Sequence, residues 1–144
     1  MKNFAPRMNG KNTMSAEAVL PDSCAWIDYF NGRSTPLADS LARALTDREI
    51  VTCGVVLYEL FQGVKTDKER ETLRVAFSSL RYLEMESGLW VAAAQLSVFL
   101  RSKGATIPFS DIIISTLARR HNLVVLTVDK HFSQVPELLV ENPD

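Results

Sequence analysis

Residues 108–129 read PFSDIIISTLARRHNLVVLTVD, and the way this stretch divides decides the fold. Pro108 to about His121 reads as a helix, with Ile113 and Leu117 on its inward side. Leu123 to Thr127 then runs without polar alternation, as a strand does when both of its faces are covered. A helix feeding a fully covered strand is a building unit of a parallel sheet.

Working outward, the same alternation recurs. Towards the N-terminus, Val19-Leu20 is a short strand ending at Pro21-Asp22. A helix follows from Ser23 to Phe30, with Trp26 and Phe30 one turn apart, and Asn31-Gly32 stops it. Thr35 as N-cap and Pro36 at the first helical position open the next helix, which repeats Leu37, Leu41 and Leu45 along one face. Ile50-Val51-Thr52 is a second strand. Gly54 to Gln62 is helical and ends at Gly63. Thr66 and Glu69 have the form of a capping box, ahead of a stripe of Leu73, Ala76, Phe77 and Leu80. Tyr82-Leu83 is a weak strand. Ser87 is expected to cap a helix whose inner face is Leu89, Ala93, Leu96 and Leu100, with Gly104 past its end. Towards the C-terminus, Leu138-Leu139-Val140 is a last strand. The pattern predicts an α/β fold, a three-layer α/β/α sandwich with a central, mainly parallel sheet.

The chain has 144 residues, enough for one domain. Residues 1–17 carry no apolar period and read as a disordered or poorly packed leader, with Met8 and Met14 as alternative starts. Residues 18–144 read as a single domain. The composition is 47% hydrophobic and 23% charged, with a formal net charge of −1. That balance excludes a protein that binds nucleic acid by bulk positive charge, so any RNA contact depends on a local basic patch or a bound cation. Cys24 and Cys53 form no C-x-x-C pair and no zinc spacing, and read as reduced, buried thiols. The longest apolar stretch, Leu89 to Leu100, is too short to span a bilayer. A cytoplasmic protein that does not engage the membrane is expected.

In a doubly wound sheet, ligands gather at the carboxyl ends of the strands. Asp22 ends the first strand, and Asp129 follows the 123–127 strand. Asp111 lies in the first turn of the helix before that strand. Glu59 lies inside the helix after the second strand, between apolar neighbours. Each has a local explanation. Asp22, Asp111 and Asp129 stand where helices begin and can accept free backbone N–H groups, and Glu59 can be a solvated helix residue. Convergence changes the reading, because two carboxylates about 5 Å apart repel by roughly 3 kcal/mol at an effective dielectric of about 20. Such a cluster holds either protons or a cation. Oxygen donors favour Mg²⁺ or Mn²⁺ over zinc, and such an ion suits phosphoryl chemistry.

The blocks carrying these acids resemble those of a known family. Asp22-Ser23-Cys24-Ala25-Trp26-Ile27-Asp28-Tyr29-Phe30 resembles the opening block of PIN domains, particularly of the VapC-type toxins. Leu57-Tyr58-Glu59-Leu60 with Gly63 is similar to the second acidic block. Ile107-Pro108-Phe109-Ser110-Asp111 is similar to the third, and Leu126-Thr127-Val128-Asp129-Lys130-His131-Phe132 to the fourth. The resemblance spans about Val19 to Val140. It implies a toxin of a type II toxin–antitoxin pair: an endoribonuclease dependent on Mg²⁺ or Mn²⁺ that cleaves structured RNA, such as tRNA or rRNA, leaving 5′-phosphate and 3′-hydroxyl ends. It implies a cognate antitoxin protein laid across the active-site groove, and a homodimer. Asp22, Glu59, Asp111 and Asp129 are then the catalytic and metal-binding residues, with Asp22 and Asp111 the firmest ligands.

Around them, Ser23 and Thr127 either orient carboxylates or make local turn bonds. Lys65, Arg119, Arg120, Lys130 and His131 either contact phosphate or form a solvated surface; His131 is also a candidate general acid. Trp26, Tyr29 and Phe30 either pack in the core or line a groove for the antitoxin. Pro21 departs from the family, which usually has an aliphatic residue there, and removes a backbone donor from a strand expected to be central. Two rival classes remain. A haloacid-dehalogenase-type phosphatase needs a second Asp two residues after Asp22, where Cys24 stands, and a receiver domain needs an acidic pair that is not evident. A non-catalytic binding module on the same fold is the other rival.

Overall fold

The computed structural model describes residues 17–144. The leader expected over 1–17 lies outside the described residues except for Glu17, whose carbonyl accepts a bond from the Arg48 guanidinium. The short apolar runs form five strands: β1 (Val19–Pro21), β2 (Val51–Cys53), β3 (Arg81–Leu83), β4 (Val124–Leu126) and β5 (Leu139–Glu141). The helices are α1 (Ser23–Phe30), α2 (Pro36–Asp47), α3 (Gly54–Gln62), α4 (Asp67–Ser78), α5 (Ser87–Ser102) and α6 (Phe109–His121), and a 3₁₀ helix covers Lys130–Gln134.

All strand pairs are parallel. β4 lies between β1 and β5, while β2 pairs with β3. A single bridge, Val19 to Ile50, joins the two groups in the order β3-β2-β1-β4-β5. Pro21 explains why it is single. Successive residues of a parallel strand turn their hydrogen-bonding groups to alternate neighbours. The Val19 N–H donates to the Glu49 carbonyl on the β2 side (2.9 Å), and residue 21 is next to face that way. Proline has no N–H, so that ladder stops. On the β4 side the ladder is intact, and the Asp22 N–H donates to the Leu126 carbonyl (3.0 Å). The proline therefore leaves the position of Asp22 fixed.

Helices cover both faces of the sheet in a three-layer α/β/α arrangement. β1, β2 and β4 are buried throughout. Every residue from Asp111 to Ala118 is buried, so α6 is enclosed on all sides and not only along the expected Ile113 and Leu117 stripe. It packs against α5, α3 and β4. Asn122 ends α6 in the left-handed region (φ 56°) and turns the chain into β4.

Thr35 caps α2 as expected, accepting from the Ala38 N–H. Two other caps differ. Thr66 accepts from the Glu69 N–H, but the Glu69 carboxylate takes the Lys65 N–H (2.8 Å) rather than that of Thr66. Ser87 is the first residue of α5, not its cap; Glu86 holds that position without a side-chain bond. Both cysteines are free, and burial pushes the Cys53 thiol up to about 11. Among the described residues no helix is long and apolar enough to cross a membrane.

Candidate active site

The chain runs from β1 outward to β2 and β3 on one side, and from β4 to β5 on the other. The direction of winding reverses between β1 and β4, and ligands of such sheets bind beyond the carboxyl ends of the strands at that point. The first residue after β1 is Asp22, and the first after β4 is Thr127.

These two residues tie the strand ends together. Asp22 caps α1, its Oδ1 accepting the Ser23 N–H at 2.8 Å. Its Oδ2 accepts the Thr127 hydroxyl at 2.9 Å, with the Cys24 thiol at 3.7 Å. The same Thr127 oxygen accepts the Asp129 N–H at 2.9 Å. Asp129 in turn caps the 3₁₀ helix by accepting the His131 N–H at 2.9 Å. The tight turn swings the imidazole back over its own cap. His131 Nδ1 lies 2.9 Å from Asp129 Oδ1 and 3.1 Å from Asp111 Oδ2. Asp111 arrives from the first turn of α6, where the helix dipole favours a carboxylate.

The carboxyls crowd one another. Asp111 is 5% exposed; burial, followed by the charges of Asp22 and Asp129, pushes its pKa up to about 6 against the opposing effect of His131. Asp22 is raised mainly by burial, which outweighs the bonds from Thr127 and Ser23, with Glu59 and Asp129 adding repulsion. Glu59, on α3, is half-buried. It lines a groove of about 530 Å³ with Ile27, Phe30, Leu60, Val64, Lys65 and Lys68.

The four acids found in the sequence thus lie around one rim, but not equivalently. One donor atom each from Asp111, Asp129 and His131 falls within a common 4.8 Å. Asp22 and Glu59 stand outside that group; the charge of Asp22 acts on Asp111, and that of Glu59 acts on Asp22. His131, considered above as a phosphate contact or general acid, is also a member of the cluster. The signal for it is the Asp-x-His spacing, which lets a capped turn fold the ring back onto the capping carboxylate. Two carboxylate oxygens, one imidazole nitrogen and the buried charge of Asp22 make a donor set that fits a divalent cation of the Mg²⁺ or Mn²⁺ kind.

The other candidates separate in the same way. Lys65 borders the groove beside Glu59. Arg119 and Arg120 lie in the last turn of α6, about 12 Å along the axis from Asp111, and line a different cavity with Leu89, Thr116 and Glu137. Trp26 is core, stacked on Phe30 (5.7 Å) and edge-on to Phe77 (4.6 Å). Phe30 also faces the groove.

An α/β fold with acids gathered at its switch point defines a class of divalent-metal sites, and comparison with known proteins names the family. The profile of the PIN domain matches residues 19–138, and this chain belongs to the PIN-domain family. The chain is similar to ribonuclease VapC11 of Mycobacterium tuberculosis, at 26% identity over 124 residues, covering 83% of this chain and 92% of that protein. Its fold is that of VapBC2 from Rickettsia felis, crystallised with a DNA fragment from the promoter. The TM-score there is 0.73, with 19% identity and coverage of 87% and 98%. A toxin–antitoxin complex from Klebsiella pneumoniae shares the fold at a TM-score of 0.69, with 24% identity and coverage of 88% and 98%.

Proposed function

We propose that this protein is a VapC-type toxin, an endoribonuclease that cleaves structured RNA of the tRNA or rRNA kind and is held in check by a cognate antitoxin. The convergence of Asp22, Asp111 and Asp129 at the β1–β4 switch point carries the reading, set within a family whose curated relatives include ribonucleases. Asp111 and Asp129 hold Mg²⁺ or Mn²⁺. Asp22 and Glu59 complete the negative pocket from its buried and its groove side. When bound, the ion supplies water activation and neutralises phosphate oxygens. Thr127 fixes the Asp22 carboxylate and the Asp129 backbone at once, so the pocket is set before substrate arrives. The apolar groove beside Glu59 suits the hydrophobic anchors of a peptide segment, and we assign it to the antitoxin. A homodimer in the cytoplasm, with a short leader over 1–17, completes the proposal.

The test is a cleavage assay on total tRNA and rRNA with sequencing of the new RNA ends. Wild-type protein is expected to cut at defined positions with Mg²⁺ or Mn²⁺, leaving 5′-phosphate ends, and to stop in EDTA. Asp22→Ala, Glu59→Ala and Asp111→Ala are expected to abolish cutting while the far-ultraviolet circular dichroism is retained. Full activity of purified Asp111→Ala, or metal binding with no RNA cut under any condition, overturns the proposal; the second result favours a binding module.

A further inference from the structure

We propose that His131 is itself a ligand of the divalent ion, through Nδ1, so that the centre presents one imidazole nitrogen with the carboxylates of Asp111 and Asp129 and selects Mn²⁺ over Mg²⁺. This rests on the reading above that the cluster holds a divalent ion, and it changes what that ion coordinates.

The geometry is specific. Nδ1 is 2.9 Å from Asp129 Oδ1 and 3.1 Å from Asp111 Oδ2. Ligand atoms at the 2.0–2.1 Å typical of small divalent ions stand about 2.9–3.0 Å apart along the edge of an octahedron. Both observed separations fit such edges, and the three donor atoms lie within 4.8 Å of one another. A divalent ion placed among these atoms meets all three donors and neutralises the charge of two carboxylates.

The ring is also pre-oriented. The His131 N–H bond to Asp129 Oδ1 closes the turn that carries the side chain, and the Thr127 bond to the Asp129 N–H fixes the start of that turn. The turn thereby brings the ring within reach of both carboxylates. The metal preference follows from donor chemistry. An all-oxygen set suits Mg²⁺, whereas an imidazole shifts affinity towards the transition series.

The experiment is Mn²⁺ titration of the purified protein, read by electron paramagnetic resonance, with spin-echo modulation on protein carrying ¹⁵N-labelled histidine. His121 is the second of the two histidines in the chain. It stands at the far end of α6 and serves as the internal control. A histidine-nitrogen coupling is expected in the wild type and in His121→Ala, and its loss in His131→Ala and His131→Asn. The ratio of Mn²⁺ to Mg²⁺ affinity is expected to fall by about tenfold or more without His131. One bound Mn²⁺ with no histidine-nitrogen coupling in the wild type overturns the ligand assignment and leaves the metal reading standing. Failure of the wild type to bind Mn²⁺, or binding that survives Asp111→Asn with Asp129→Asn, overturns both. The decisive coupling is read on wild-type protein, so the result does not depend on a variant folding.

Discussion

The Thr127 hydroxyl serves two acids at once, donating to Asp22 Oδ2 and accepting the Asp129 N–H, each at 2.9 Å. Thr127→Val keeps the shape and removes both bonds. It leaves a buried carboxylate oxygen without its donor and a backbone N–H without its acceptor, a loss of about 1–3 kcal/mol in stability. Groups that orient metal ligands cost roughly 10–100-fold in affinity or activity when removed. We therefore expect Thr127→Val to lower Mn²⁺ affinity and RNA cleavage within that range, and Thr127→Ser to restore both, as read by metal titration and initial cleavage rates. Unchanged metal affinity in Thr127→Val would show that the hydroxyl serves only the local turn. The sequence offered orientation of carboxylates and local turn bonding as alternatives for Thr127, and the structure shows one oxygen doing both. Asp22 and Asp111 were legible because their positions, at a strand end and a helix start, follow from the local pattern. The place of His131 was not, since it depends on a ring from one turn reaching a carboxylate on another helix.

At the scale of elements, the covered strand at 123–127 and the caps Thr35 and Thr66 were readable because their causes are local. The enclosure of α6 was not. A helical period reports which side is apolar, but residues 112–118 have no strongly polar member to mark an outer side, and the packing of α5, α3 and β4 around them is a tertiary fact. Enclosure leaves a trace in the polar groups. Thr116 satisfies its hydroxyl on the Ile112 carbonyl at 2.7 Å, whereas the fully buried Ser115 hydroxyl has no hydrogen-bond partner among the described residues. Ser115→Ala removes a desolvated hydroxyl and places a better helix former there. The expected outcome is a gain of about 1 kcal/mol in denaturant unfolding, with cleavage activity unchanged. Loss of stability would mean that the hydroxyl is bonded in solution. The single bridge between β1 and β2 is a similar case: Pro21 was visible in the sequence, but which neighbour its missing donor faced depended on the strand order.

For the whole molecule, a formal net charge of −1 conceals a concentration of like charge at one rim. The metal-free fold bears that repulsion, and the pH dependence of its stability has a definite sign. Asp111 is pushed up to about 6 from an ordinary value of 3.8, chiefly by burial. Between those values the folded chain binds more protons at this position than the unfolded chain, so stability falls as pH rises. Near pH 3 both states are protonated and the penalty is nearly absent; above about pH 7 it is fully developed, at roughly 3 kcal/mol. Asp22, raised as well, contributes with the same sign. Asparagine at position 111 cannot ionise and escapes the penalty. Without metal, Asp111→Asn is therefore expected to match the wild type near pH 3 and to exceed it above pH 6.5. Saturating Mn²⁺ should reverse that order, because only the wild type retains the full ligand set. Denaturant melts of both proteins in EDTA across this range, repeated with Mn²⁺ at the upper end, measure the difference directly. Parallel stability curves in EDTA would show that the buried carboxyl carries no electrostatic load, and the need for a cation to relieve it would disappear with it.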